Sequence, residues 1–435
     1  GVLTGDHNVA VGHSAGYDLT SGTYNNFIGF AAGANATTGG SNIAIGRQAI
    51  GLGVLTGSNN VVLGYQAGYD LTSGSHNILS GFQAGSNVTT GTGNIFQGNE
   101  AGEFATTASY GIAIGYEAIG TGVMTGTDNT AIGQVAGNDL TSGTYNNFIG
   151  YTAGGNATTA DYSIALGYFA MGTGVVTGAD NTAIGRSAGN DLTSGAYNNF
   201  MGMQAGFNAT TGDSNIAIGR SAIGLGVLTG DSNVAVGHSA GYDLTSGAFN
   251  VFVGYVAGGN VSTGADNTIL GPNAGIALIT GSNNIIIGHD AAASATNVSN
   301  EITLGNASIT DVRIPGVGFY IDGGDVGIGQ SSPSAKLDIV GAANERVLEI
   351  TSTDNNAAQA FTGVVIDTNM SGSGATGADR EHFGLYIDTD SSATGGDTSN
   401  EHRVRGLRID TDVTGDSDLV SGIYNTLRTS HSSGT

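Results

Sequence analysis

A five-residue pattern, Asn followed by three mostly apolar residues and a Gly, recurs from Asn8-Val9-Ala10-Val11-Gly12 to Glu301-Ile302-Thr303-Leu304-Gly305. The closing glycines fall at 12, 29, 46, 64, 81, 98, 115, 133, 150, 167, 185, 202, 219, 237, 254, 271, 288 and 305, every step being 17 or 18 residues. A unit that short cannot bury an apolar face alone, so neighbouring units must stack and share one core. The expected fold is a solenoid built from one short strand and its turns per coil.

Length alone would divide 435 residues into about three average domains. A solenoid grows along one axis and escapes that division, so residues 1–305 are expected to be one shaft. The chain has 77 glycines; set on a period, they mark turns that need positive φ rather than disorder. It has no cysteine, so packing and hydrogen bonds alone must hold it. Net charge is −24, and Lys336 is the single lysine. That balance disfavours nucleic acid and anionic membranes, whose phosphates need clustered Lys and Arg. No apolar run reaches the ~18 residues of a membrane helix, and no membrane insertion is expected. The opening Gly1-Val2-Leu3-Thr4-Gly5 reads as the tail of a coil begun earlier, as in a fragment or processed product.

Fifteen of the eighteen coils carry Asn four residues before the Gly, among them Asn8, Asn25, Asn42, Asn129 and Asn181; Gly111, Ser163 and Glu301 stand in the other three. Identical amides at the strand spacing of ~4.8 Å can hydrogen-bond up and down a ladder. The residue just before the closing glycine (Gly12, Gly29, Gly46 and their successors) is nearly always aliphatic: Val11, Ile28, Ile45, Leu63. It is expected to face the interior. Alternation then sends the residue before it (Ala10, Phe27, Ala44, Phe96, Phe148) to the other face, yet that row is apolar too. A strand apolar on both faces is buried on both, so partner chains are expected along the axis. Three residues after the Gly stands Ala in coil after coil (Ala15, Ala32, Ala49, through Ala291), which reads as an inner corner too crowded for a larger group. The 18-residue steps carry their extra residue beyond that corner, as in Ile50-Gly51-Leu52-Gly53-Val54-Leu55. The coils cycle in threes. Residues 1–22 recur as 226–247 with Ser232 in place of His7, a mark of duplication.

The Asn-Thr-Ala-Ile-Gly coils, Asn129-Thr130-Ala131-Ile132-Gly133 and Asn181-Thr182-Ala183-Ile184-Gly185, resemble the left-handed parallel β-roll of trimeric autotransporter adhesin heads, with a wider coil. The longer form ending in Leu-Thr-Ser-Gly is similar to repeats of phage tail fibres. Residues 324–341, beginning Gly324-Asp325-Val326-Gly327-Ile328-Gly329 and including Lys336-Leu337-Asp338-Ile339, resemble a segment found in tail fibres and other surface fibres. In such proteins an intramolecular chaperone often follows and is cleaved off; nothing in residues 341–435 resembles it. The resemblance implies an all-β homotrimer on the virion, with two further copies of the chain, other tail or fibre proteins and a host cell-surface glycan or protein as partners.

After Gly305 the period stops. Residues 306–341 form a connector, and 342–435 carry another repeat: Gly363-Val364-Val365-Ile366-Asp367, Gly384-Leu385-Tyr386-Ile387-Asp388, Gly406-Leu407-Arg408-Ile409-Asp410 and Gly422-Ile423-Tyr424-Asn425. Strands joined by Ser/Thr/Gly/Asp-rich loops are expected, forming a β-prism-like trimeric region. Tyr386, Arg408 and Tyr424 are the candidate receptor-binding residues. Eight of the eleven basic residues lie beyond Gly305, among many acids with which partner chains could pair.

Little points to catalysis, and no enzyme activity is expected. A glycan depolymerase needs an acid and a base at a cleft, usually with aromatic platforms; the chain has no Trp, and only Glu100, Glu103 and Glu117 break the regular placing of its acids. His13, His238 and His289 follow closing glycines where other coils carry Phe30, Arg47, Tyr65 or Gln134, which reads as a solvent-facing ledge. Asp388, Asp390, Asp410, Asp412, Asp416 and Asp418 have calcium-ligand chemistry, but solvated loop acids account for them. No metal or cofactor is expected. The Thr rows (Thr20-Ser21, Thr37-Thr38, Thr72-Ser73) read as hydroxyls capping turns rather than as an ice-ordering surface. The leading expectation is the shaft and distal part of a phage tail fibre, about 85 Å of roll for eighteen coils. A bacterial trimeric adhesin is the alternative, and a fibre-borne glycan depolymerase a more distant one.

Overall fold

The computed structural model describes residues 4–310 and two short strands, Val326–Ile328 and Leu337–Ile339. The chain divides into two compact units, residues 1–313 and 314–435. In the first, eighteen three-residue strands run from β1 (Val9–Val11) to β18 (Ile302–Leu304) and form one parallel sheet. Each strand from β2 to β17 pairs with the one before and the one after, so the solenoid expected from the repeat is present. Register is coil on coil, with Val9 opposite Asn26, Ala10 opposite Phe27 and Val11 opposite Ile28. In the second unit, β19 (Val326–Ile328) and β20 (Leu337–Ile339) pair in parallel, bringing together the two apolar runs of the connector motif. The C-terminal repeat of residues 342–435 lies outside the described residues, as do Tyr386, Arg408, Tyr424 and the aspartates weighed as calcium ligands.

The strand faces are exchanged relative to the sequence reading. The middle residue points inward: Phe27, Ala44, Val62, Phe96 and Phe148 are at most 1% exposed. The residue before the closing glycine points outward, with Val11 56%, Ile28 39%, Ile45 41% and Leu63 36% exposed. Alternation holds but fixes only which residues share a face. The asparagine fixes which face is inside: Asn25, Asn42 and Asn60 are fully buried, and the residue two positions on from each shares their side. Uniform aliphatic character before the glycine was the wrong cue.

Core volume is balanced between the inward strand residue and the wall that faces it. Where the inward strand residue is Phe27, the facing wall carries Gly33 and Ala36; a Cβ on Gly33 would stand 2.8 Å from the Phe27 ring. Gly154, Gly206 and Gly258 meet Phe148, Phe200 and Phe252 in the same way, at 2.5–2.6 Å. Where the strand residue is Ala44, the wall carries Ile50 and Leu55, and Ala217 likewise faces Ile223 and Leu228. A third coil type sets Ala183 against Leu192. The backbone is left-handed at the same wall position in each type, at Gly33 (φ 58) and at Ile50 (φ 51). A β-branched residue there costs of order 1–3 kcal/mol, which the burial of a large side chain, worth about 1.5–3 kcal/mol, offsets. The extra residue of the long coils sits in this wall, leaving Leu52 and Val54 exposed between Ile50 and Leu55.

Ala32 and Ala49 are fully buried at the inner corner, and Ala15 is half-buried in the first coil.

Candidate functional site

Two columns beside the strand fix the spacing of the coils. Asn25 donates from its backbone N–H and from Nδ2 to Oδ1 of Asn8, at 2.9 and 3.2 Å, and from Nδ2 to the carbonyl of Gly39 at 2.9 Å. Asn42 repeats this with Asn25 and Gly57, and Asn198 with Asn181 and Gly212. One side chain thus satisfies a backbone donor and a backbone carbonyl that the short strand leaves free, and it does so out of reach of water. Ser163 keeps the row going, its Oγ accepting from Asn181 N–H at 3.3 Å. Gly111 accepts nothing by side chain, and Asn129 makes its Nδ2 bond to Gly143 without a ladder partner behind it. At the last coil Glu301 N–H still donates to Asn284 Oδ1, while its carboxylate accepts from Ser294 and Thr303. Burial pushes that carboxyl up and these hydrogen bonds pull it further down, so its pKa is lowered.

The closing glycines form the second column. Gly46 has φ +138, and a Cβ there would lie 2.3 Å from the carbonyl oxygen of Gly64; Gly12 and Gly29 meet their successors in the same way at 2.4 Å. No side chain fits between coils that close.

Between these columns lies the outward face of the strands. Ile45, Leu63, Ile149, Leu166, Ile218, Val253 and Ile287 are exposed along it, joined from the first strand position by Ile78, Ile164 and Ile285. The row is interrupted by Ser80 and Gln97 in neighbouring coils. An apolar stripe of this length exceeds what single exposed residues on a protein surface account for.

Two further rows bracket this face, one residue before the ladder asparagine and one residue after the closing glycine. Their rings stack from coil to coil. On the trailing row His13 stacks on Phe30, Tyr65 on Phe82 and Tyr151 on Tyr168, each at 5.2 Å between centroids. His238 stacks on Tyr255 at 5.3 Å, and its Nδ1 is buried without a hydrogen-bond partner. Arg47 lies between Phe30 and Tyr65, 5.7 Å from each ring. On the leading row His7 stacks on Tyr24 at 4.7 Å and Tyr145 on Tyr162 at 5.0 Å. The position read from sequence as a solvent-facing ledge is exposed, Phe30 at 50% and Tyr168 at 54%, and its flat side chains also stack from coil to coil. The signal available was flat side chains in adjacent coils at one repeat position. The leading row was missed altogether. Beside the trailing row, Gln83 donates to Gln66 and Gln66 to Gln48, at 3.3 and 3.2 Å.

Glu100 and Glu117 follow on that glutamine row, with Glu103 nearby. Burial and the charges of Glu100 and Glu117 raise the pKa of Glu103. Repulsion of this kind is what three carboxylates with no cation beside them produce. Among the described residues no group of three or more His, Asp or Glu is placed to hold a metal ion, and the one ion pair is His289 with Asp290, at 3.0 Å. The Thr rows are engaged: Thr20 Oγ1 donates to the Thr37 carbonyl, Thr72 to Thr89 and Thr141 to Thr158, at 2.9–3.0 Å. No helix among the described residues is long and apolar enough to cross a membrane.

No protein-family model matches the chain, and no curated protein matches it.

Proposed function

We propose that the solenoid is the shaft of a homotrimeric phage tail fibre, a structural and host-attachment protein that projects a receptor-binding end from the virion. The observation that carries this reading is the exposed aliphatic stripe along the outward strand face. Further copies of the chain packed around a common axis would bury it, and each coil would add to the contact. The tail-fibre assignment itself leans on the resemblance of the repeats and of residues 324–341, which also implies a left-handed winding. The coils repeat one arrangement along the solenoid, and the proposed role is mechanical. Host specificity, for a surface glycan or protein, belongs to the region beyond the period, and three copies would give avidity for a repeated receptor. Other tail or fibre proteins would join the shaft at its ends, where open strand edges need covering.

The test is mass by light scattering together with negative-stain images of the purified chain. The expected result is a rod with three times the 43.1 kDa chain mass. A monomer, or a compact particle, overturns the proposal.

A further inference from the structure

The two ring rows that bracket the strand match each other coil by coil. Tyr24 shares its coil with Phe30, Tyr110 with Tyr116, Tyr145 with Tyr151, Tyr162 with Tyr168, and Phe249 with Tyr255. The leading row holds six Tyr or Phe residues and the trailing row seven in eighteen coils. Five are paired, and the sixth, Tyr197, shares its coil with Met203. Long coils change both sides at once, carrying Tyr162 with Tyr168 in one and Ser214 with Arg220 in another. In one coil the sides carry opposite charge, Asp180 leading and Arg186 trailing.

Copying of whole coils carries both residues of a pair together, but no contact within a coil holds them to each other. The stacks run along each row, between neighbouring coils, and among the described residues no ring contact joins the leading residue of a coil to the trailing residue of the same coil. Asp180 and Arg186 form no ion pair, and Arg186 instead donates to Met203 Sδ at 2.9 Å. These residues are exposed: Tyr24 59%, Phe30 50%, Tyr162 56%, Tyr168 54%.

We infer that the two rows are the halves of a zipper between copies of this chain, the trailing row of one copy meeting the leading row of the next at the same coil. Rotation about an axis parallel to the solenoid leaves height unchanged, so a closed ring of parallel copies brings coil against identical coil. Ring then meets ring, and Arg186 meets Asp180 of the neighbouring copy. The aliphatic strand residues between the rows supply the apolar contact, which slides freely along a repeating surface; the zipper sets the register. A slip by one coil would set Arg186 against Tyr162 or Tyr197 and Tyr168 against Asp180 or Tyr145. The zipper presupposes the homotrimer proposed above and adds its register and the residues that fix it.

The chain has no cysteine, so the full chain carrying Tyr162→Cys with Tyr168→Cys offers one matched pair to a short bismaleimide. A covalent three-chain ring is expected on a denaturing gel. Tyr110→Cys with Tyr168→Cys sets the thiols three coils apart, about 14 Å along the axis, and is expected to give no ring. Equal linking of both pairs, or none from the matched pair in a particle of trimeric mass, overturns the zipper and leaves the trimer standing. A monomeric mass removes both. As a second measurement, Asp180→Arg is expected to lower the melting temperature of the trimer, and adding Arg186→Asp to restore it; no effect from either overturns the assigned contact.

Discussion

The strand side of each coil and the wall facing it obey opposite rules. On the strand side, Asn and Gly recur at fixed positions, the hydrogen bonds repeat to within a few tenths of an ångström, and every strand has three residues. On the wall, coils of 17 and 18 residues both occur, and Gly33 with Ala36 gives way to Ile50 with Leu55 or to Leu192. One side sets the rise between coils and varies little. The other fills whatever volume the inward strand residue leaves.

This contrast can be broken most forcefully in the core. Phe200→Ala should cost about 4 kcal/mol in urea unfolding, and adding Ala209→Leu should recover most of it, because the coil of Ala183 and Leu192 is packed that way already. A failure to recover would mean that the wall is no more adaptable than the strand. Next comes the glycine column: Gly150 has φ +137 and a carbonyl oxygen 2.4 Å from where a Cβ would sit. Gly150→Ala should cost about 3 kcal/mol, from strain and overpacking together. Gly40→Ala, with its nearest backbone neighbour at 3.1 Å and no positive φ, should cost under about 1 kcal/mol. Comparable losses at both would refute the special standing of the closing glycines. Asn77→Ala leaves the Asn94 N–H and the Gly91 carbonyl without their partners; about 2 kcal/mol should be lost, with faster hydrogen exchange at the Asn94 amide.

The smallest effect lies at Glu103, on the variable wall. Its pKa is raised by burial and by Glu100 and Glu117, so the folded chain holds this proton more tightly than the unfolded chain does. Its contribution to stability should therefore be fully present below the ordinary glutamate range and be lost as pH rises through the raised value. Glu103→Gln should flatten that dependence and leave the protein slightly more stable at pH 7, as thermal melts across pH would record.

Period, strand positions and the asparagine ladder were legible in the sequence, since all three follow from Asn and Gly at fixed spacing. Which face of the strand turns inward was not, because Phe27 and Ile28 are equally apolar and alternation has no absolute sign. Burial of Asn25 decides it, and a polar side chain does not advertise burial. The stacked rows escaped for a different reason: His13, Phe30, Arg47 and Tyr65 differ as side-chain classes and agree only in being flat. The volume exchange between strand and wall needed the geometry, since it links residues about nine positions apart across the coil interior, as Phe27 and Ala36 are.

Because every coil offers its neighbours the same asparagine and glycine columns, a coil can be copied or lost without rebuilding them. Recombination between repeats can then change the span of the solenoid in single steps of about 4.8 Å, each step inheriting intact the asparagine, the glycine and both bracketing residues. The near-identity of residues 1–22 and 226–247 is the residue of such an exchange. Reach becomes a trait that heredity can adjust by counting rather than by invention.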